Sequence, residues 1–208
     1  MNNHLQEKRK QVRKPTEVRK REIIDVAINI IAFEGARAFT AKNIATAVGM
    51  TSGGIFRHFE SMEAIVVDAI ERVEEILASD FPSGVEDPIK RLRDFFLQRT
   101  RTILAHPGIS RLLLSDHLEQ AAGIETAKRL SKIKIRSRKF IHGCIREAEQ
   151  QGSLDSVADV EAATSIVIGA ILSLSHVSTQ VASTSKSHKP SEDVWALIER
   201  MLEKGRSS

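Results

Sequence analysis

Tyrosine is absent from this chain, and cysteine occurs once, as Cys144. A lone thiol excludes a disulfide framework and a cysteine-based zinc site. Aromatic residues make up only 4%, as eight Phe and one Trp, whereas β-sandwiches and barrels draw heavily on aromatic and β-branched side chains. Five prolines and eleven glycines in 208 residues leave long stretches unpunctuated, as regular helices require. The longest apolar stretch runs only from Ile166 to Leu174, too short to cross roughly 30 Å of hydrocarbon. No apolar segment follows the charged N-terminus, so it does not read as an export signal. A cytoplasmic protein with no membrane partner is expected.

What is present is an ordinary globular composition, 41% hydrophobic and 28% charged, with enough chain to bury a core. The charge is unevenly placed. Residues 1–22 carry eight Lys and Arg against three Glu, so the other 186 residues of this +4 chain sum to −1. A basic end on a near-neutral body suits a polyanion, either nucleic acid or an acidic membrane surface, although such a run can also be a solvated tail.

Apolar spacing predicts an all-α chain of about nine helices. Residues 1–14 lack periodicity and read as an arm. Helices are expected at 16–34, 41–48, 51–59, 61–77, 89–105, 109–120, 125–151, 159–181 and 190–204. Their start and stop signals are Pro15, Gly35, Thr40, Gly49, Thr51, Ser61, His106-Pro107-Gly108, Gly152, Asp159 and Pro190. The arm and first three helices, residues 1–60, form one expected domain, and residues 61–208 a second.

The informative segment is 39–59. Two short helices joined by a turn with glycine make a helix-turn-helix, whose second helix enters the major groove. Ala45 is small where the helices approach, and Gly49 can take the left-handed conformation that ends the first. Ile44, Val48, Ile55 and Phe59 are expected to pin the unit to the first helix. Gly53 and Gly54 each cost about 1 kcal/mol in helix propensity, so their place wants a reason. Close backbone approach to a phosphate supplies one.

Residues 16–65 resemble the DNA-binding domain of the TetR family of bacterial transcriptional regulators. The resemblance rests on Ile24, Ala27, Gly35, Thr40, Ile44-Ala45, Gly49, Thr51, Gly53 and the ending Ile55-Phe56-Arg57-His58-Phe59. It implies a homodimeric regulator, a repressor by analogy, bound to a palindromic operator in double-stranded DNA. Contacts would come from Lys14, Thr40, Lys42, Thr51, Ser52, Gly53, Gly54, Phe56, Arg57 and His58. The resemblance further implies that a small molecule entering the second domain shifts the fourth helix and releases the DNA. Two positions depart from the family. Phe56 replaces a usual Tyr whose hydroxyl reaches a phosphate, and Met62 replaces a common Lys.

Candidate ligand-binding residues on inward helix faces are Phe95, Phe96, Arg99, Leu113, His117 and Phe140, any of which can equally be core. No enzyme is expected. Ser115-Asp116-His117 holds triad residue types, but neighbours on a helix point about 100° apart and cannot form the hydrogen-bonded chain. No cofactor and no metal is expected, since His142 and Cys144 lie on different helix faces. The reading from another class is an architectural DNA-binding protein without a ligand. A cavity with few polar groups favours the regulator, and a filled core the architectural protein. Helix 159–181 is apolar nearly all round, and helix 190–204 carries the two stripes Trp195-Ile198-Leu202 and Val194-Leu197-Met201. That is more apolar surface than one core consumes, so both helices are expected at a two-fold dimer interface.

Overall fold

The computed structural model describes residues 15–114, 120, 124–154, 159–177 and 190–203. Among these there are helices and no strands. They are α1 (Thr16–Glu34), α2 (Ala41–Val48), α3 (Ser52–Ile55), α4 (Met62–Ala78), α5 (Pro88–Ala105), α6 (Pro107–Leu114), α7 (Ile124–Gln150), α8 (Val160–Val177) and α9 (Pro190–Glu203). A 3-10 turn at Ala36–Ala38 joins α1 to α2.

Side-chain caps define the starts of the short helices. Thr40 Oγ1 accepts the amide of Asn43 at 3.2 Å, Thr51 Oγ1 that of Gly54 at 3.1 Å, and Ser61 Oγ that of Ala64 at 3.2 Å. Each such cap satisfies an amide the helix leaves orphaned, worth about 1 kcal/mol. Gly49 closes α2 at φ 68°, ψ 40°, the left-handed conformation. Asp87 Oδ1 accepts the amides of Ile89 and Lys90 at 2.9 and 3.0 Å, and Pro88 occupies the first turn of α5.

Two boundaries differ from the sequence reading. α3 ends at Ile55, and the chain then tightens, with the amides of Arg57 and His58 bonding three residues back to Gly54 and Ile55. The break expected at His106-Pro107-Gly108 falls at His106, and α6 begins at Pro107 rather than Ile109, where the missing amide of proline is no loss. The expected continuation of the sixth helix to residue 120 and of the eighth to 181 lies largely outside the described residues.

Two apolar cores organise the chain. The first gathers α1, α2, α3 and α4 around Ile23, Ala27, Ile31, Ile44, Ile55 and Phe59, and is completed by Ile109 and Leu112 of α6 and Leu130 of α7. Gly108 is small for a reason here: a Cβ would sit 2.6 Å from the Asn29 side chain of α1. The second core is a bundle of α5, α7, α8 and α9 around Phe95, Phe96, Ile145, Val167 and Trp195. α4 spans the two, packing on α1 along its length and meeting α5 and α7.

Candidate functional site

Ile44, Ala45, Ile55 and Phe59 are buried, and Val48 packs against them partly exposed. Those contacts fix the helix-turn-helix on α1 and leave the opposite side of α2 and α3 in solvent. Thr40, Lys42, Thr51, Ser52, Gly53, Phe56 and Arg57 are all exposed, while Gly54 is half-buried. The two glycines have different reasons. A Cβ on Gly54 would meet the Met50 methyl at 3.1 Å and the capping Thr51 oxygen at 3.3 Å, whereas one on Gly53 would meet nothing within 4 Å. Gly54 sits in a close-fitting place and Gly53 in an open one.

His58 is half-buried, and its Nδ1 is sealed from solvent with no hydrogen bond among the described residues. It is set further back than Arg57. Part of the N-terminal charge is used inside the protein. Arg19 pairs with Glu22 at 2.8 Å and donates to the Val48 carbonyl at 3.4 Å, while the Lys20 ammonium lies 5.5 Å above the Phe59 ring. These two cations brace the reading head. Lys14 and the rest of the arm lie outside the described residues.

Beside the second core lies a half-open cavity of about 300 Å³. Its wall is apolar, built from Phe95 and Ile103 of α5, Leu113 of α6, Ile133 and Ile141 of α7, and Ile168, Ile171 and Leu172 of α8. Four polar side chains join them: Arg99, Lys134, Ser137 and Arg138. Of the sequence candidates, Phe95, Arg99 and Leu113 therefore line it. Phe96 turns away, its ring 5.5 Å from that of Trp195. Phe140 stacks with Phe81 and Phe95 at 5.2 and 4.9 Å, behind the wall. His117 lies outside the described residues, as does Ser115-Asp116-His117 as a whole.

The sequence reading missed the α7 wall. Residues 132–139 read Lys-Ile-Lys-Ile-Arg-Ser-Arg-Lys, five cations and no acid, a signal that was available. Lys132, Lys134, Arg136 and Lys139 are exposed and Arg138 is half-buried in an ion pair with Glu161. Of these five, Lys134 and Arg138 line the otherwise greasy cavity, whereas Lys132 and Arg136 line a separate hollow against the end of α4. Cys144 is buried on the far side of α7, and burial pushes its thiol pKa up, favouring the unreactive protonated form. Among the described residues no group of His, Cys, Asp and Glu is arranged to hold a metal ion, and no helix is long and apolar enough to cross a membrane.

Residues 23–69 match the family model of bacterial regulatory proteins, tetR family. That segment is similar to the tetR-family DNA-binding domain. The transcriptional repressor KstR2 of Rhodococcus jostii is 27% identical over 154 residues, covering 70% of this chain and 72% of the relative. Among solved structures, the ketosteroid transcriptional regulator KstR2 of Mycobacterium tuberculosis superposes with a TM-score of 0.70 at 20% identity, covering 94% of this chain and 96% of that one. AibR in complex with isovaleryl coenzyme A and operator DNA superposes at 0.65 with 19% identity, covering 89% and 98%.

The two departures from the tetR-family pattern have distinct places. Phe56 is 47% exposed beside Arg57, presenting a bare ring. Met62, where the family commonly has Lys, points into the first core as a packing residue.

Proposed function

We propose that the chain is a homodimeric, cytoplasmic transcriptional repressor that leaves a palindromic operator when a small molecule enters the α5–α8 cavity. The observation that carries this reading is the pairing of a solvent-facing helix-turn-helix with an apolar cavity beside a separate core. A filled second core would have favoured an architectural protein. Thr51, Ser52, Gly53, Phe56 and Arg57 face the major groove, with Thr40, Lys42 and Gly54 beside them and His58 set back. Lys14 and the arm add sequence-independent attraction to phosphates. Phe56 contributes apolar contact, as to a thymine methyl, in place of a phosphate bond. No catalytic role is assigned.

The cavity chemistry indicates the ligand class. A volume of about 300 Å³ lies at the small end of ligand pockets, roughly 300–1,000 Å³, and suits a medium-length or branched acyl group. Lys134 and Arg138 in the cavity wall suit a phosphorylated carrier, which points to an acyl coenzyme A thioester. The complex of AibR with isovaleryl coenzyme A supports that reading. Dimerisation is assigned to α8 and α9, whose outward faces present Ile166 at 47%, Leu197 at 59% and Met201 at 44% exposure.

The test is fluorescence anisotropy on a duplex recovered by selection from random DNA, titrated with octanoyl coenzyme A, octanoate or free coenzyme A. The thioester is expected to weaken operator binding at least tenfold and the two fragments at most twofold. A complex indifferent to thioesters of every length from four to twelve carbons would contradict the ligand class.

A further inference from the structure

The most deeply buried polar group in the cavity wall, Arg99, is bonded directly to the helix that leads to the reading head. Arg99 stands midway along α5 at 4% exposure, its guanidinium over the rings of Phe95 at 5.0 Å and Phe81 at 5.5 Å. Its Nη2 donates to the main-chain carbonyl of Leu77 at 2.9 Å, in the last turn of α4. The last carbonyls of a helix have no partner within it, and a cation there also complements the helix dipole. Arg99 is therefore the C-terminal cap of α4. On the other side its Nε lies 3.0 Å from Asp80 Oδ2. Asp80 is 2% exposed and is braced by the Thr102 hydroxyl, which donates to Oδ1 at 2.6 Å.

This grip is incomplete. Although they touch as charges, neither Arg99 Nε nor Asp80 Oδ2 completes a hydrogen bond among the described residues. Burial in apolar surroundings draws the arginine down to about 10, still protonated at neutral pH. The unsatisfied Nε faces Asp80 and Nη2 is held by the Leu77 carbonyl, so an acceptor entering the cavity has to compete with that carbonyl for Nη2. Asp80 cannot be left alone in the core, so the guanidinium stays near it, and the Nη2 bond to Leu77 is the contact that a ligand oxygen can exchange.

We propose that Arg99 is the latch through which cavity occupancy reaches α4: an acyl carbonyl or carboxylate oxygen of the ligand takes the Nη2 donor, Leu77 loses its cap, and the last turn of α4 shifts. The movement passes to the reading head because α4 packs along α1 through Val66, Ala69, Ile70 and Val73. The latch rests on the reading of the cavity as the effector site. It adds the residue that converts binding into release.

Arg99→Lys tests it in the full-length dimer. Lysine keeps the charge and reaches Asp80, but a single ammonium cannot also span to the Leu77 carbonyl as the fork of arginine does. Without any ligand the variant is expected to bind the selected operator at least tenfold more weakly than the parent, with helix content and dimer mass unchanged. Octanoyl coenzyme A should then change its operator affinity less than twofold. A variant that binds operator as the parent does, or that still loses operator on adding the thioester, overturns the latch. If calorimetry shows that the parent does not bind octanoyl coenzyme A, the ligand class falls, while the ligand-free comparison still decides the latch. Should the variant not fold, hydrogen exchange on the unmodified protein decides it. Residues 77–81 are expected to exchange at least threefold faster with octanoyl coenzyme A bound, and unchanged exchange there during operator release contradicts the proposal.

Discussion

Gly169→Arg is expected to give a fully helical monomer that no longer binds operator. α8 turns Ala163, Thr164, Val167, Ile171 and Leu174 into the second core and leaves Ala162, Ser165, Ile166, Gly169 and Ser173 in solvent. The outward side is a stripe of small residues with one isoleucine, which lets a partner helix approach closely. α9 adds Leu197 and Met201 beside it, while Trp195, Ile198 and Leu202 are the stripe it buries in its own subunit. A Cβ built on Gly169 meets nothing within 4 Å, so arginine costs the isolated subunit no clash. Across a two-fold axis the same residue would set a cation against its own copy or a neighbouring apolar face. Two linked heads gain roughly 10²–10⁴ in affinity over one, so the operator constant should weaken at least a hundredfold. Sedimentation velocity at micromolar concentration reads the mass, and circular dichroism the helix content. A dimer of unchanged mass would remove α8 from the interface.

Gly53→Glu should separate folding from DNA binding even more sharply. The position is exposed, in the first turn of α3, and open around its missing Cβ. A glutamate there improves helix propensity by up to about 1 kcal/mol and complements the dipole of the helix start. The melting temperature should hold or rise slightly. Yet the carboxylate would point where a phosphate or base edge must come, and facing like charges cost several kcal/mol. Operator affinity should fall at least about a hundredfold, since tenfold corresponds to about 1.4 kcal/mol. At Gly54 the same substitution would also press on the Met50 methyl and the capping Thr51 oxygen, so a loss there would not isolate the DNA contact. A Gly53→Glu protein that binds operator normally would place the DNA face elsewhere.

The reading head was legible from sequence because its signals are local. Thr40, Thr51 and Ser61 each sit before their helix and cap it, and Gly49 adopts the left-handed turn its position demanded. The cavity was legible only in part because its wall is assembled from α5, α6, α7 and α8, far apart in sequence. Periodicity placed Phe95 and Phe96 both inward, and both are buried, but adjacent helical residues point about 100° apart. One therefore reaches the cavity and the other Trp195. Arg99 stood out as a cation on an apolar face, whereas its partner Asp80 lies in the connection after α4, where no period constrains it. Pro107 was misleading because proline both ends helices and begins them. Only the amide pattern around it decides which.

The central claim is that two reading heads, joined through α8 and α9, recognise one symmetric DNA site. Selection of binding duplexes from a random pool by the purified protein, followed by sequencing, measures this directly. An inverted repeat is expected, with half-sites spaced by about one helical turn, roughly 10–10.5 base pairs or a multiple. Recovery of no enriched sequence, or of a single unrepeated half-site, would contradict it.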